Sequence, residues 1–296
     1  MKPFFSIVLP CWNSENYIER CIKSIKKQTF KRFEVIIIDN CSTDQTLKKI
    51  KNIIDNRFKI FSINNNGILA KSRNLGIKKS TTEWVVFLDS DDWWNDNKLE
   101  ICYKNINDNI DFLYHDLEIK SEKNYFFKKK NKSRQLIKPV LTDLLINMNP
   151  ISNSSVVVRK NILFKIKGIS ENKNIPASED YHAWLKISKI TDNFLYLPFT
   201  LGYYFVHKKS MSNKNMAIPM KYAVSEFLHT LTSKQKKKLK ANLSYVSGRH
   251  HYLNSSYNKA KKDLLFLLKT GAISLKVRSV FMLIVIILKL MLKKIR

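Results

Sequence analysis

Three carboxylates, Asp89, Asp91 and Asp92, lie within four positions of one another, directly after an apolar run at residues 85–88. Oxygen ligands offered in so small a space suit Mg²⁺ or Mn²⁺ shared with substrate phosphates. Aspartate is also a common turn and helix-cap residue, so the Asp-Ser-Asp spacing alone is weak evidence. The elements around these carboxylates therefore decide between a structural turn and a binding site.

Two other places carry acids that can take part in chemistry. Asp39 ends the apolar run at residues 34–38, while Glu179 and Asp180 directly follow Ser178. Ser178 predicts the start of a helix, and carboxylates are favourable in the first turn of a helix whether or not they react. From these residues alone, a catalytic and a purely structural interpretation of Glu179 and Asp180 both stay open.

The elements that position these acids alternate along the chain. Apolar runs predict strands at residues 4–9, 34–38, 58–63 and 84–88, and helical spacing follows each of the first three. Ser42 and Gln45 have the spacing of a capping box ahead of the second helix. The alternation predicts an α/β fold with a mostly parallel sheet and helices on both faces, in which ligands bind beyond the carboxyl ends of the strands.

After Asp92 the pattern becomes less regular. Strands are predicted at residues 110–119, 154–158, 194–197 and 201–206, with a basic loop at 120–138 and a helix at 178–190. From residue 221 the pattern is helical. The second half of the α/β region is therefore expected to shape a second substrate site, followed by a helical extension.

The charge of the chain predicts anionic partners. It carries 53 Lys and Arg against 24 Asp and Glu, a formal net charge of +29, which favours phosphorylated ligands, anionic lipid or nucleic acid without choosing among them. Lysines beside aromatic residues at 125–130 are the one feature that favours nucleic acid, and no recognised binding module accompanies them. Nucleic acid is therefore kept only as an alternative.

The segment at about 263–296 combines apolar and basic residues. Its uncharged run at residues 279–288 is shorter than the roughly 20 residues that a spanning helix needs. Ten Lys or Arg and one acid, Asp263, lie between residues 259 and 296, which favours a helix lying on an anionic membrane surface. The alternative is a helix packed on its own domain. Because the N-terminus lacks a secretory signal, the expected location is the cytoplasmic face of the membrane.

Other phosphate-binding folds are disfavoured by their motifs. The chain has no G-x-G-x-x-G dinucleotide motif and no G-x-x-x-x-G-K-[ST] P-loop. A dehalogenase-type phosphatase would carry its D-x-D motif after the first strand, whereas the first strand here ends in LPCWN. With only six glycines, phosphate is expected to be held mainly by metal and side chains.

Six segments in order resemble the family 2 glycosyltransferases with the Rossmann-like GT-A fold. They are SIVLPCWNSENYI, VIIIDNCSTDQT, NNNGILAKSRNLGI, VVFLDSDDWW, ASEDYHAWLKIS and YYFVHKKSMS. The resemblance covers about residues 4–212 and implies a GT-A domain at 1–212, with a nucleotide-sugar-binding half at 1–105 and an acceptor half at 106–212. Residues 213–296 would then form the helical extension.

The resemblance also implies how the nucleotide is held. Asp39 would accept a hydrogen bond from the uracil imide, and Pro10, Trp12 and Glu15 would form the nucleotide-binding edge. Arg73 would reach the nucleotide and its diphosphate through its planar guanidinium. The structural alternatives are a wall residue for Trp12, a first-turn helix acid for Glu15 and a solvated helix face for Arg73.

Around the D-x-D motif the resemblance implies a divalent cation, Mn²⁺ or Mg²⁺. Asp89 and Ser90 would face the ribose or the donor sugar. Asp91 would hold the cation, with Asp89 and His207 as further ligands. Asp92 would support this set, and Trp93 with Trp94 would pack or wall the acceptor site.

For catalysis the resemblance implies Asp180 as the base that removes the proton of the acceptor hydroxyl, with Glu179 as its helper or an acceptor contact. His207 and Lys208 belong to a segment that closes over the donor in many relatives. Phe205 stands where that segment usually has arginine, so His207, Lys208 and Lys209 are candidate phosphate contacts, with a solvated basic loop as the alternative for the two lysines.

The function that follows is transfer of a single hexose or N-acetylhexosamine, with inversion, from a UDP-sugar to a hydroxyl of a lipid-linked glycan acceptor. Such a reaction belongs to the synthesis of bacterial surface polysaccharide such as O-antigen, capsule or lipooligosaccharide. The alternatives are a processive synthase, which typically adds a Q-x-x-R-W motif and spanning helices, and a catalytically silent scaffold. The chain has no such motif, and its intact Asp89, Asp91 and Asp180 disfavour a silent protein.

Overall fold

The first part of the chain folds as alternating strands and helices. A computed structural model describes residues 2–122, 129–131, 133–208, 210–271 and 273–295. Its first strands are β1 (Phe5–Cys11), β2 (Phe33–Asp39), β3 (Phe58–Ser62) and β4 (Trp84–Phe87), and the helices between them are α1 (Ile18–Lys26), α2 (Thr46–Ile53) and α3 (Leu69–Lys79). These strands are parallel in the order β3, β2, β1, β4. The predicted parallel arrangement is confirmed in this part.

Beyond β4 the sheet becomes mixed. The further strands are β5 (Trp93–Trp94), β6 (Phe112–Ser121), β7 (Lys129–Asn131), β8 (Val157–Arg159) and β9 (Phe194–Val206), and the helices are α4 (Lys98–Asn105), α5 (Val140–Asn147), α6 (Lys160–Lys165) and α7 (Glu179–Ser188). β8 runs antiparallel to both β4 and β6, β9 runs parallel to β6, and β5 pairs antiparallel with β9. Two of these elements matter for the site: β8 beside β4, and β9, which returns to the D-x-D segment through β5.

The two strands predicted at residues 194–197 and 201–206 are one continuous strand, β9. Its register against β6 shifts between Leu197 and Thr200, so Pro198 and Phe199 fall in a bulge. Proline has no N–H to donate to the ladder, and a bulge is where the ladder does not need one. The proline therefore bends the strand and does not end it.

Helices cover both faces of the sheet, as predicted. Successive side chains of β1 point to opposite faces, so Ile7 and Leu9 join one core while Val8 joins the other. The first core includes Ile22 of α1, and the second includes Ala70 of α3. Both faces of β1 are therefore covered, and the chain first becomes exposed after the strand at Trp12.

Within residues 213–271 and 273–295, the C-terminal extension forms four α-helices: α8 (Ala217–Ser225), α9 (Ser233–Leu253), α10 (Tyr257–Thr270) and α11 (Ile273–Ile295). Helix α8 packs on α7 and α9 packs on α5, while α10 and α11 build a separate small core around Leu264 and Ile286. Within the described ranges, no helix combines the length and the hydrophobicity needed to cross a bilayer. Lys209 and residues 125–128 of the aromatic and basic segment lie outside the described residues.

Both predicted helix caps are wrong in their side-chain contacts. The hydroxyl of Ser42 donates to Asp39 Oδ1 at 2.6 Å, and Gln45 is the N-cap of α2 without a side-chain cap bond. A carboxylate at the end of β2 thus takes the hydroxyl that a capping box would need. Ser178 does occupy the N-cap of α7, but its buried Oγ has no hydrogen-bond partner among the described residues.

Candidate active site

The carboxyl ends of β1, β2 and β4 bring the predicted nucleotide residues to one edge. Pro10 is buried in β1, whereas Trp12 just beyond the strand is 61% exposed. The hydroxyls of Ser14 and Ser90 lie 2.8 Å apart and join the loop after β1 to the D-x-D segment. The edge predicted from the strand order therefore exists, with one aromatic side chain open to a ligand.

Asp39 is buried and already hydrogen-bonded at the end of β2. Its carboxylate accepts the Ser42 hydroxyl at 2.6 Å, the Ser42 N–H at 3.1 Å and the Cys11 thiol at 3.7 Å. Burial, followed by the charge of Asp39, raises the pKa of Cys11, so this thiol stays protonated and inert. The contacts hold Asp39 in a fixed orientation at the end of β2.

Glu15 ties two loops together. Its Oε2 accepts the Gln45 N–H at 3.0 Å, while its own N–H donates to Asp44 Oδ2 at 3.1 Å. Lys49 Nζ also donates to the Glu15 carbonyl at 2.9 Å. Glu15 is therefore positioned at the start of α2, where its negative charge is favourable, and it links the loop after β1 to that helix.

Arg73 of α3 bridges two carboxylates from distant parts of the chain. Its Nη2 donates to Asp89 Oδ1 at 2.8 Å and its Nη1 donates to Glu179 Oε1 at 2.7 Å. Arg73 is 3% exposed, and although burial opposes its charge, the two carboxylates hold its pKa above the ordinary value. Asn153 Nδ2 adds a third donor to this network, 3.0 Å from Asp89 Oδ1.

Asp180 lies beside this bridge at the start of α7. Burial, together with the charge of Glu179, raises the pKa of Asp180 to about 7, while Arg73 partly offsets the rise. The Asp180 carboxylate accepts the Tyr181 N–H at 2.6 Å, and Asp180 as a whole residue is half-buried. A half-buried carboxylic acid whose pKa is raised to near neutrality has the properties of a general base.

Asp91 and His207 meet across 116 residues of sequence. Asp91 Oδ2 lies 3.1 Å from His207 Nε2. Burial and the neighbouring charge of Asp89 raise the pKa of Asp91, and His207 offsets that only in part. The negative charge that collects here is therefore incompletely compensated by the protein.

These atoms partly fit the predicted cation site. Across the part of the chain that the structure describes, no three His, Cys, Asp or Glu side chains converge as a metal-binding group. Asp91 and His207 do meet, and both are donors suited to Mn²⁺. Asp89, the third predicted ligand, instead directs Oδ1 toward Arg73. The pair fits a cation whose remaining ligands come from a diphosphate and water.

Asp92 is buried and joins three chain segments. Its Oδ2 accepts the Ser154 hydroxyl at 2.6 Å, and its Oδ1 accepts the Phe205 N–H at 2.8 Å. Burial and the charges of its neighbours hold the pKa of Asp92 well above its usual range. Asp92 therefore links β9 and the segment before β8 to the D-x-D segment, and its support of a cation site stays a prediction.

The end of β9 carries the residues of the predicted closing segment. The Phe205 ring lies 5.9 Å from the imidazole of His207 at an interplanar angle of 24°, and the Tyr17 ring lies 4.8 Å from the same imidazole. Lys208 is exposed. Phe205 therefore supports His207 by packing, and Lys208 is free to reach solvent or a ligand.

The two tryptophans after the motif have different environments. Trp94 is 2% exposed, and its indole N–H donates to the Ser154 carbonyl at 2.8 Å, so it belongs to the core. Trp93 stacks on Tyr203 at 4.8 Å. It lines a cleft of about 970 Å³ along α1 that includes none of Asp89, Arg73 or Asp180. Cleft volume alone thus does not identify the reacting site.

Asn153, Ser154 and Arg20 are site residues that the sequence analysis missed. Asn153 and Ser154 precede β8, and because β8 runs antiparallel to β4 its first residues lie beside the end of β4. The polar run at residues 152–155 ahead of an apolar strand was a usable signal, but only with the strand direction known. Arg20 had no signal, because a single basic residue on a helix is usually solvated.

Comparison with protein families matches residues 6–171 to a family described as glycosyl transferase family 2. Two relatives in Haemophilus influenzae are both described as uncharacterized glycosyltransferases. One is 31% identical over 198 residues, which is 64% of this chain and 61% of that protein, so the chain spans less than two thirds of that relative. The other is 28% identical over 280 residues, 90% of this chain and 91% of that protein.

A third relative carries a more specific name. It is the Escherichia coli UDP-Glc:alpha-D-GlcNAc-diphosphoundecaprenol beta-1,3-glucosyltransferase WfgD, 30% identical over 187 residues, which is 62% of this chain and 69% of that protein.

Solved structures share the fold at low sequence identity. Staphylococcus aureus TarS 1–349 in complex with UDP-GlcNAc has a TM-score of 0.64 at 22% identity, covering 91% of this chain and 82% of that chain. The mannosyltransferase PcManGT from Pyrobaculum calidifontis, in complex with GDP-Man and Mn²⁺, has a TM-score of 0.62 at 15% identity, covering 94% and 78%.

Proposed function

The chain belongs to glycosyltransferase family 2 and has the GT-A fold, and on that premise we propose that it transfers one hexose or N-acetylhexosamine from a UDP-sugar to an acceptor hydroxyl with inversion. Its catalytic domain spans residues 1–212, with the nucleotide-sugar-binding half at 1–105 and the acceptor half at 106–212. Residues 213–296 form the helical extension. The acceptor is a lipid-linked glycan in bacterial surface polysaccharide synthesis.

One observation carries the proposal: Arg73 joins Asp89 to Glu179, directly beside Asp180. This bridge links the residue expected to face the donor with the helix turn that carries the base. Asp180, whose pKa is raised to about 7 by burial and the Glu179 charge, can accept the proton of an acceptor hydroxyl near neutral pH. The hydroxyl oxygen then bonds to the anomeric carbon, and the bond from that carbon to the diphosphate oxygen breaks, releasing UDP.

The negative charge that builds on the departing diphosphate calls for a cation. Asp91 and His207 are the residues that would hold Mn²⁺ or Mg²⁺, and the cation would stabilise that charge without proton transfer. The Asp91–His207 contact at 3.1 Å supports this assignment. The Mn²⁺ complex of PcManGT, a protein of the same fold, is consistent with it. Lys208, exposed beside His207, adds positive charge for the diphosphate.

The nucleotide is bound at the edge formed by the carboxyl ends of β1 and β2. Asp39 accepts from the base, the exposed Trp12 packs against the nucleotide, and Pro10 with Glu15 shapes the loop. Ser90 lies beside Ser14 at the bottom of this edge. The UDP-GlcNAc complex of TarS and the UDP-Glc donor in the name of WfgD support a uridine nucleotide.

Helix α11 supports peripheral binding to an anionic membrane. Among the described side chains of this helix, nine apolar ones are exposed: Ile273, Val277, Val280, Phe281, Ile284, Ile287, Leu288, Met291 and Leu292. At 3.6 residues per turn they share an arc of about 140°, and Lys276 lies next to one side of it while Arg278 and Lys289 lie next to the other. An apolar stripe between cationic rims suits a helix lying in the headgroup region. A lipid-linked acceptor, as in the name of WfgD, would be met there.

The reaction is tested with a panel of UDP-sugars, Mn²⁺ or Mg²⁺ and lipid-linked acceptors extracted from membranes. Asp180→Asn is expected to lower kcat by about 10²- to 10⁴-fold while UDP binding stays unchanged, because only the base is lost. Glu171→Gln, an exposed carboxylate outside the bridge, is the matched control. Transfer by Asp180→Asn at the wild-type rate would remove Asp180 from the assigned role.

Membrane binding is tested by sedimentation with vesicles that contain an anionic phospholipid. Phe281→Asn is expected to reduce the bound fraction at least severalfold, because Phe281 is 68% exposed on the stripe. Ile137→Asn is the matched control, since Ile137 is 66% exposed but lies outside α11. Equal binding by both variants, or wild-type protein that stays in the supernatant, would contradict the assignment of α11.

A further inference from the structure

Arg20 of α1 packs against two aromatic rings next to the D-x-D segment. Its guanidinium carbon is 3.6 Å from the ring centroid of Trp93 and 4.5 Å from that of Phe205. Its Nη2 also donates to the Asp91 carbonyl at 3.0 Å. A guanidinium can stack with its face and donate from its edge at the same time, which an ammonium group cannot do.

Two of the three partners of Arg20, the Asp91 carbonyl and the Phe205 ring, lead to the two members of the Asp91–His207 pair. The Asp91 carbonyl belongs to the residue whose carboxylate contacts His207. Phe205 stacks on the imidazole of His207, and its N–H donates to Asp92. Arg20 therefore connects the backbone of one member of the pair to the ring that supports the other member.

Arg20 is a basic residue that contacts the backbone of Asp91. Among the residues that the structure describes, no lysine or arginine forms an ion pair with Asp91 or Asp92. Lys23, one turn further along α1 on the same cleft, pairs instead with Glu19 at 3.3 Å. The positive charge beside the Asp91 backbone thus comes from Arg20, which forms no ion pair with the carboxylate of Asp91 or Asp92 among the described residues.

From these contacts we infer that Arg20 is a positioning residue: it sets the separation of Asp91 and His207 before nucleotide and cation arrive. The inference rests on the proposed function, in which this pair holds the divalent cation. Without the planar guanidinium, the Phe205 ring and the Asp91 backbone lose their common support. The cation itself then has to bring the Asp91 carboxylate and the His207 imidazole together, so the cation binds more weakly.

The test compares Arg20→Lys and Arg20→Gln with wild type and with Lys23→Gln as the matched control. Mn²⁺ binding to the full chain in the presence of UDP is measured by electron paramagnetic resonance. Both Arg20 variants are expected to raise the Kd for Mn²⁺ by about 10- to 100-fold, the usual effect of losing a partner outside the ligand set. The Kd for UDP without metal and the melting temperature show whether each variant is folded.

A kinetic readout separates positioning from general damage. At saturating Mn²⁺, kcat of the Arg20 variants is expected to return to within about twofold of wild type, because excess cation compensates for a weakly assembled pair. A protein that is merely less stable gains nothing from added Mn²⁺. Wild-type Kd values for Mn²⁺ in both Arg20 variants would overturn the inference, as would a kcat loss that Mn²⁺ leaves unchanged.

A metal-free measurement distinguishes failure of this inference from failure of the proposed function. The imidazole NMR signals of His207, assigned with His207→Ala, are expected to shift in both Arg20 variants and to stay in place in Lys23→Gln. Wild-type protein that binds no Mn²⁺ with UDP would refute the metal part of the proposed function, and the His207 signals then decide on Arg20. Unchanged signals in both Arg20 variants would overturn its positioning role.

Discussion

Replacing Glu179 with glutamine is expected to make the enzyme active at lower pH. Asp180 is the proposed base, and burial together with the Glu179 charge raises its pKa from 3.8 to about 7. That rise corresponds to roughly 4 kcal/mol in favour of the protonated form. Glutamine keeps the size of the side chain and an oxygen for Arg73 but removes the like charge, so the pKa of Asp180 is expected to fall.

The size of the effect follows from the neighbouring charge. A close like charge moves a carboxyl pKa by about one unit or more, and burial, the larger cause, stays in place. With a pKa near 7 about 9% of Asp180 is deprotonated at pH 6, and with a pKa near 6 about half is. We therefore compare kcat at pH 6 after dividing it, for each enzyme, by that enzyme's own plateau value. This normalised kcat should be about fivefold higher for Glu179→Gln than for wild type.

The assay is the pH profile of kcat from pH 5 to 9 at saturating donor, followed by UDP release. Glu171→Gln serves as the control, because it removes an exposed carboxylate that is hydrogen-bonded to Asn74 and not to Arg73. The prediction concerns only the pH at the midpoint of the acid limb, so a lower plateau kcat of Glu179→Gln does not bear on it. An acid limb that stays in place or moves to higher pH would refute the electrostatic coupling of Glu179 and Asp180.

Three further outcomes follow from the buried groups. The pKa of Asp180 is higher in the folded than in the unfolded state, so the contribution of Asp180 to stability is full below about pH 4 and is lost as pH rises through about 7. Asp180→Asn should accordingly have a higher melting temperature than wild type at pH 8, and this difference should be much smaller at pH 5. Asp92→Asn should lower the free energy of unfolding in urea by about 1–3 kcal/mol. Asp92 accepts from the Ser154 hydroxyl with one oxygen and from the Phe205 N–H with the other, and in asparagine an NH2 group would face one of these two donors. Gly76→Ala should lower it by about 1–3 kcal/mol, because a Cβ there would lie 2.4 Å from Val8 Cγ1, and unchanged urea midpoints would contradict either estimate.

The fold was predictable in its first part because each strand there is a short apolar run followed by a helix with clear spacing. Parallel strands buried on both faces leave few alternatives for such runs. The second part was less predictable. Pro198 separated two apolar runs in the sequence, and only the bulge against β6 joined them into one strand. The direction of β8 had no signal in a run of three residues.

The residues of the candidate site also differ in how far the sequence predicts them. The positions of Asp39, Asp89 and Asp91 at or just beyond strand ends were predictable, because the end of a strand is a local property of the chain; their roles toward a ligand stay predictions. Glu179 and Asp180 depended on the family resemblance, since the first turn of a helix favours carboxylates for reasons unrelated to catalysis.

By itself the sequence determined which residue types were available and at which strand ends they stand. The tertiary structure alone decided their partners: Arg73 with both Asp89 and Glu179, Asp91 with His207, and Arg20 beneath that pair. The physical reason is distance along the chain. Hydrogen bonds and charges act over a few ångströms, and these contacts join residues 16 to 116 positions apart, which only the completed sheet brings together.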